Sequence, residues 1–474
     1  MSRDVSLRNA SQGLDINLDL LAARPDIPGI ETIACGFIAS MDCISLAAKQ
    51  QRVLPSTSGF VRYLGAFEHL HWLFSQSGPR AFAQAIEVMG TTTAEQWRAA
   101  LDTLQLSQPF FSVLIDVDDD NRPYFRRVNG SPIPMRVLDG KFVASWEDEM
   151  GKEVSTMISA DHAPLLRTVL IHEPERSIFI IAAHHSISDG VSMAAALCDL
   201  VRALSGEQLE RRSMLPSPEE SLAVVSKTSA VRDRTEHAVA KKNDRTSFAR
   251  SYIEPFTVES LRLDEGLTSS IRRRARAEGT TLHGALCAAV IRTSRATSSA
   301  WGQETIRLLS PINARNQCEV DDTSSMCIGA AIIPVAPGQE LDLWSLARRI
   351  KSEHAGPRSR SGLTLALQMI SDAVAEISDV DGALDFIEPV FAYQVAVSNV
   401  GELLRPRRES AVRITSMWGP SNLLGFEGEQ LVGAITINEC LHLLHTAYSP
   451  LPHLLDRVRA TLTTMCGEQP SGIE

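Results

Sequence analysis

The order of apolar and polar positions divides the chain into short strand-like runs and longer helical stripes. Residues 109–116, PFFSVLID, form an apolar run, DDDNRP follows as a turn, and residues 124–128 return, a pattern that predicts a β-hairpin. Residues 164–172 and 177–185 predict a second strand pair around the turn EPER. Leu197, Leu200, Val201 and Leu204 then recur at the i, i+3, i+4, i+7 spacing of one helix face. YLGAFEHLHWLF, residues 63–74, also reads as a helix. Further along, residues 267–277 predict a helix that ends near Gly279, a residue suited to the left-handed stop after a helix. Residues 281–296 are apolar on several sides and predict a buried helix. Residues 305–311, 329–334, 391–397 and 431–437 predict core strands.

Between these patterned halves lies a break. Residues 205–250 are rich in charge, with Pro216 and Pro218, and predict a linker that is in part helical. No repeat of 20–50 residues is visible. The expected organisation is an N-terminal extension over 1–50, a first unit over 51–204, the linker over 205–250 and a second unit over 251–474. Each unit mixes strands and helices, so the fold class is α/β or α+β.

Composition narrows the function classes. The 474 residues carry 46 Lys and Arg against 57 Asp and Glu, a net charge of −11, which disfavours a surface built to grip nucleic acid or anionic lipid. Aromatic residues at 5% argue against base-stacking platforms. The first 29 residues contain Asp4, Asp15 and Asp19 and lack a signal-peptide core, and the longest apolar runs (178–183, 284–291, 329–334) fall far short of the roughly 20 residues that span a bilayer. A cytoplasmic protein with no transmembrane segment is expected. The 8 cysteines are scattered without a CxxC, which disfavours a zinc framework and leaves buried thiols as the reading, with a Cys318–Cys327 pairing still open.

The segment most suited to chemistry is SIFIIAAHHSISDGVSMAAALCDLVRAL, residues 177–204. A β-branched run leads into His184 and His185, then Asp189 and Gly190, then the helix. Two histidines thus stand where a buried strand meets a loop, a place where a rigid scaffold aims side chains that the loop leaves accessible. Gly190 permits a tight turn with positive φ, and Asp189 can bond local backbone or pair with an arginine. Adjacent strand residues face opposite ways, which argues against a shared metal. It is compatible either with one core and one exposed histidine or with one acid/base group backed by a packing partner. His69 and His71, at i and i+2 of a helix, do not form a metal pair. The run Arg272, Arg273, Arg274 with Arg276 reads as the solvated face of a helix, with a phosphate- or carrier-binding patch as the alternative.

HHSISDG resembles the HHxxxDG motif of the condensation-domain superfamily, which includes chloramphenicol acetyltransferase, plant acyltransferases, peptide condensation domains and mycobacterial polyketide-associated acyltransferases. The stretches LTSSIRRRARAEGTTLHGALCAAVIRTSRA, LSPINAR, VSNVGEL and LVGAITINECLHLLHTAYSPLPHLLDRV resemble successive parts of the second half of that family. RVLPSTSGFVRYLGAFEHLHWLF is similar to the opening of polyketide-associated acyltransferases and alcohol acetyltransferases. VSNVG stands where the plant branch has DFGWG, so that branch is disfavoured. The likeness covers roughly residues 50–465.

The resemblance implies two chloramphenicol-acetyltransferase-like domains with an active-site tunnel at their interface. It implies His185 as general base, His184 and Gly190 as supporting residues, and Asp189 paired structurally with Arg315. Ser398 and Asn399, in a late loop, would line the tunnel or contact the tetrahedral intermediate. The donor would be an acyl thioester, either acyl-CoA or a phosphopantetheinyl acyl carrier protein, and the acceptor an alcohol or amine, with O-acylation of a lipid, polyketide or other secondary metabolite favoured. No tightly bound cofactor and no metal are expected. Partners would be an acyl carrier protein or polyketide synthase, with no nucleic acid, and the chain is expected to be a monomer. A free-standing amide-forming condensation enzyme and a non-catalytic carrier-binding module are the alternatives. No acyl-enzyme is expected, because Ser186 and Ser188 lack the GxSxG setting of a serine nucleophile.

Overall fold

The structure, a computed structural model, describes residues 58–224, 255–403 and 411–467. The expected N-terminal extension (1–50) and the linker beyond residue 224 lie outside the described residues.

The first half contributes strands β1 (Phe60–Tyr63), β2 (Ala81–Met89), β3 (Val113–Val117), β4 (Pro123–Arg127), β5 (Met135–Asp139), β6 (Leu166–His172) and β7 (Arg176–His184). The second contributes β8 (Thr257–Leu263), β9 (Ile306–Asn313), β10 (Ile328–Val335), β11 (Val395–Glu402), β12 (Arg413–Ser421), β13 (Gln430–Ile437) and β14 (Cys440–Ala447). The predicted hairpin is β3–β4, although Pro109–Ser112 of its first run forms a 3₁₀ turn instead of strand. The predicted pair around EPER is β6–β7, antiparallel from Leu166↔Ala183 to His172↔Ser177.

Three sheets result. β1-β4-β3 is a small antiparallel sheet, β12-β2-β7-β6-β5 is a five-stranded sheet, and β10-β9-β11-β13-β14-β8 is a six-stranded sheet. β12 belongs to the second half of the chain yet pairs antiparallel with β2 of the first, with Met417 opposite Ile86 and Trp418 opposite Ala85. The close passage of β12 over β13 requires Gly433, where a Cβ would lie 2.2 Å from the Pro420 carbonyl oxygen.

Capping accounts for the helices that position the site. Asp189 accepts from the Val191 and Ser192 N–H groups and starts the Gly190–Leu204 helix, whose Leu197, Leu200 and Val201 stripe is buried. Thr281 starts the Leu282–Thr297 helix, which is buried on several sides as its composition predicts. The Glu265–Ala277 helix is followed by Gly279 at φ +71°.

One expectation needs correction. The strand expected over 391–397 begins only at Val395, because Phe391 ends the Val380–Phe391 helix. The described part of the expected linker, 205–224, contains a helical turn as expected, and it also packs against both halves. Arg212 bonds Asp199 (2.8 Å), Ser217 caps the one-turn Pro218–Ser221 helix, Glu219 accepts from the Phe67 N–H (3.3 Å), and Leu222 is buried against the second half. Arg212 and Glu219 find buried partners, whereas Glu207, Glu210, Arg211 and Glu220 stay exposed.

Candidate active site

Strand β7 ends at His184, and residues His185–Ile187 turn as one 3₁₀ unit before Asp189 starts the helix. This local path separates the two imidazoles. His184 is buried, its Nδ1 accepts from the Ser186 N–H (3.2 Å), and its Nε2 therefore donates to the Ser75 hydroxyl (2.9 Å). Both nitrogens are occupied, and burial pushes its pKa down to about 4, so His184 is a neutral scaffold group.

His185 instead faces a cavity. Its Nδ1 lies 3.0 Å from the Ser188 carbonyl, an atom that can only accept, so Nδ1 carries the proton and the neutral ring has its lone pair on Nε2. The ring stacks on Phe82 (4.8 Å, 28°) and lies 4.8 Å from the ring of His71. Burial lowers the His185 pKa below its ordinary value, while the Asp189 charge and the Ser188 carbonyl act in the opposite direction.

Asp189 is buried and uses both oxygens. Oδ1 takes the two helix N–H groups at 3.0 Å, and Oδ2 takes Arg315 Nη1 at 2.8 Å and the Cys327 N–H at 2.9 Å. Burial disfavours the carboxylate, yet Arg315 and these donors hold the Asp189 carboxyl below the usual range. Arg315 Nη2 also donates to the Ser325 carbonyl (3.3 Å). The pair thus ties the histidine turn of the first half to the 315–327 segment of the second.

Gly190 does not have the positive φ expected of it. It is the first residue of the helix, and what constrains it is space: a Cβ would lie 3.1 Å from Pro420 Cγ and 3.2 Å from Val400 Cγ2. Ser398 and Asn399 lie not in a loop but in β11, opposite Gly433 and Ala434 of β13, just before a register shift. Both line the cavity, and Asn399 Oδ1 accepts from the Gly401 N–H (2.9 Å).

The cavity has an empty volume of about 1070 Å³, part of it open to solvent. Leu70 and Phe74 form one wall, and Leu309, Ile328 and Phe391 from the second half form the other. Which apolar residues line the cavity was not legible in the chain, because apolar tunnel walls have the composition of core. The expectation missed His71, which lines the cavity with His185. A signal existed: Phe67, Leu70, His71 and Phe74 hold i, i+3, i+4 and i+7, which places His71 on the inward stripe.

Residues 254–419 match the family described as phthiocerol/phthiodiolone dimycocerosyl transferase C-terminus. Polyketide synthase associated protein 5 from Mycobacterium tuberculosis superposes with a TM-score of 0.60 at 15% identity, over 86% of this chain and 99% of that one. The first condensation domain of the CDA synthetase gives 0.59 at 16%, over 87% and 98%. Tyrocidine synthase 3 of Brevibacillus parabrevis is 26% identical over 261 residues, which is 51% of this chain but only 4% of that protein. The fold is the one these solved structures share.

The five-stranded sheet is built mainly from the first half and the six-stranded sheet from the second, and the cavity draws residues from both. His185 and Asp189 come from the first, Arg315, Ser398 and Asn399 from the second. Among the described residues no group of three or more His, Cys, Asp or Glu could hold a metal, and no helix is long and apolar enough to cross a membrane. Cys318 and Cys327 are neighbouring free thiols. The 272–276 arginines line no part of the cavity. Arg272 meets Glu402 at 3.3 Å, and Arg274 meets Glu278 at 2.7 Å and lies over the Trp344 ring.

Proposed function

We propose that the chain transfers an acyl group from a thioester donor to a hydroxyl of a lipid, polyketide or other secondary-metabolite acceptor, with His185 as general base. The observation that carries this reading is the Ser188 carbonyl on His185 Nδ1, which leaves Nε2 as the basic atom at a cavity built from both halves. The acceptor O–H gives its proton to Nε2 as its oxygen bonds the thioester carbon. Collapse of the tetrahedral intermediate breaks the C–S bond, and Nε2–H returns the proton to the departing thiolate. Atoms balance without an acyl-enzyme. Such acid–base help is worth about 10²–10⁴-fold, and holding both substrates in one cavity supplies much of the rest.

Acyl-CoA is the favoured donor. An acidic carrier domain would need a basic docking patch, and Arg272 and Arg274 of the foremost candidate are already engaged with Glu402 and Glu278. A second reading, amide formation with an amine acceptor, is supported by the likeness to peptide synthetase domains. A non-catalytic role is disfavoured by the retained geometry of His185, Asp189 and Arg315. The test offers acyl-CoA and acyl-carrier thioesters with alcohols and amines and follows thiol release. Turnover that survives in folded His185→Ala would sink the base assignment.

A further inference from the structure

We propose that His71 is a second catalytic imidazole, which donates a hydrogen bond to the thioester oxygen as that oxygen gains negative charge. The inference rests on the acyl-transfer reading and adds to it a residue from a different element.

His71 lies on the Ala66–Ser75 helix, and its ring contacts are with Phe67 (5.0 Å) and His185 (4.8 Å). Neither ring nitrogen has a hydrogen-bond partner among the described residues, in contrast to His184, which uses both. The His71 ring is only partly buried and lines the cavity with Phe67, Leu70 and Phe74, so water or a ligand there is what its nitrogens can bond. Packing alone would be served by phenylalanine, as at the neighbouring positions of the stripe.

The chemistry of the site says which ligand atom is served. His185 Nε2 receives the proton of the nucleophile, so the reacting carbon must lie close to that atom. That carbon also needs donors for the oxygen that becomes anionic. A neutral imidazole has one N–H to give. Burial, followed by the nearness of His185 and His184, holds the His71 pKa well below its ordinary value, so the ring stays neutral even when His185 carries the transferred proton. A second positive charge beside that imidazolium would oppose the proton uptake that the reaction requires. Ser398 and Asn399 approach the same cavity from the other half, so His71 would complete a set of donors on both sides of the substrate.

The experiment compares wild type, His71→Phe and His71→Asn in full-length protein with the productive donor and acceptor from the thioester panel, alongside His185→Ala. His71→Phe keeps an aromatic ring on the apolar stripe and removes the donor, whereas His71→Asn keeps an N–H. The expected result is a fall in kcat of about 10²-fold in His71→Phe with KM changed less than about threefold, and recovery of about tenfold in His71→Asn. The thermal midpoint of His71→Phe should equal or exceed that of wild type. Unchanged kcat in His71→Phe, or equal losses in both variants, would overturn the His71 role while leaving His185 in place. Failure of wild type to turn over any donor and acceptor would instead overturn the acyl-transfer reading and this inference with it.

Discussion

Replacing Arg315 by alanine tests whether the buried pair holds the two halves in register. Both side chains are nearly solvent-free, at 3% exposed for Arg315 and 1% for Asp189, with Nη1 and Oδ2 at 2.8 Å. Arg315→Ala leaves the Asp189 carboxylate with its helix N–H donors and the Cys327 N–H but without a countercharge. Breaking such a pair from one side costs about 3–5 kcal/mol. With about 2.1 cal/mol/K of unfolding entropy per residue and 474 residues, each kcal/mol is about 1 °C, so the thermal midpoint should fall by about 3–5 °C. Urea unfolding gives the free energy directly. The double variant Asp189→Asn/Arg315→Met removes both charges while retaining a good helix cap. It should be more stable than Arg315→Ala alone, because no uncompensated charge remains. A shift below about 1 °C in Arg315→Ala, or a double variant no more stable than Arg315→Ala, would refute the idea that the pair is coupled. The turn should loosen as well: the Ser188 carbonyl that orients His185 precedes Asp189, so kcat should fall together with stability.

Other expectations follow from the same geometry. The base must be neutral to act, and the His185 pKa is lowered, so the acid limb of kcat/KM should lie below pH 6.5; a limb above that value in a pH–rate profile would contradict the burial argument. Folding stability should decline on acidification. His184 and His442 are pushed down to about 4 and His283 to about 3, so below pH 6.5 the unfolded chain binds more protons and stability is lost toward pH 4. For His184 alone that amounts to roughly 3 kcal/mol. Glu429, raised by burial to about 7, works against this by losing stabilisation as pH rises through 7, so urea titrations should show a net but incomplete acid loss. Gly190→Ala should cost about 1–3 kcal/mol in a denaturant titration, because its Cβ would press on Pro420 and Val400. A neutral outcome would mean that β12 yields there.

What could be read from the chain itself was local. The strand–turn–helix path around HHSISDG, the Asp189 cap, the β6–β7 pair and the stop at Gly279 each depend on residues within a few positions of one another, where periodicity and capping act directly. The division between His184 and His185 was legible as two roles, but which nitrogen of each ring is free was not, since that depends on Ser75 and on the Ser188 carbonyl. Four features were decided only in three dimensions: β12 joining the sheet of the other half, Ser398 and Asn399 lying in β11, the docking of 205–224, and His71 meeting His185. Each depends on partners far along the chain, from about 35 residues for β11 on β13 to more than 300 for β12 on β2. Hydrophobic periodicity shows that a face turns inward, but it does not distinguish a face packed against core from one that looks into a cavity, because both are built from the same apolar side chains.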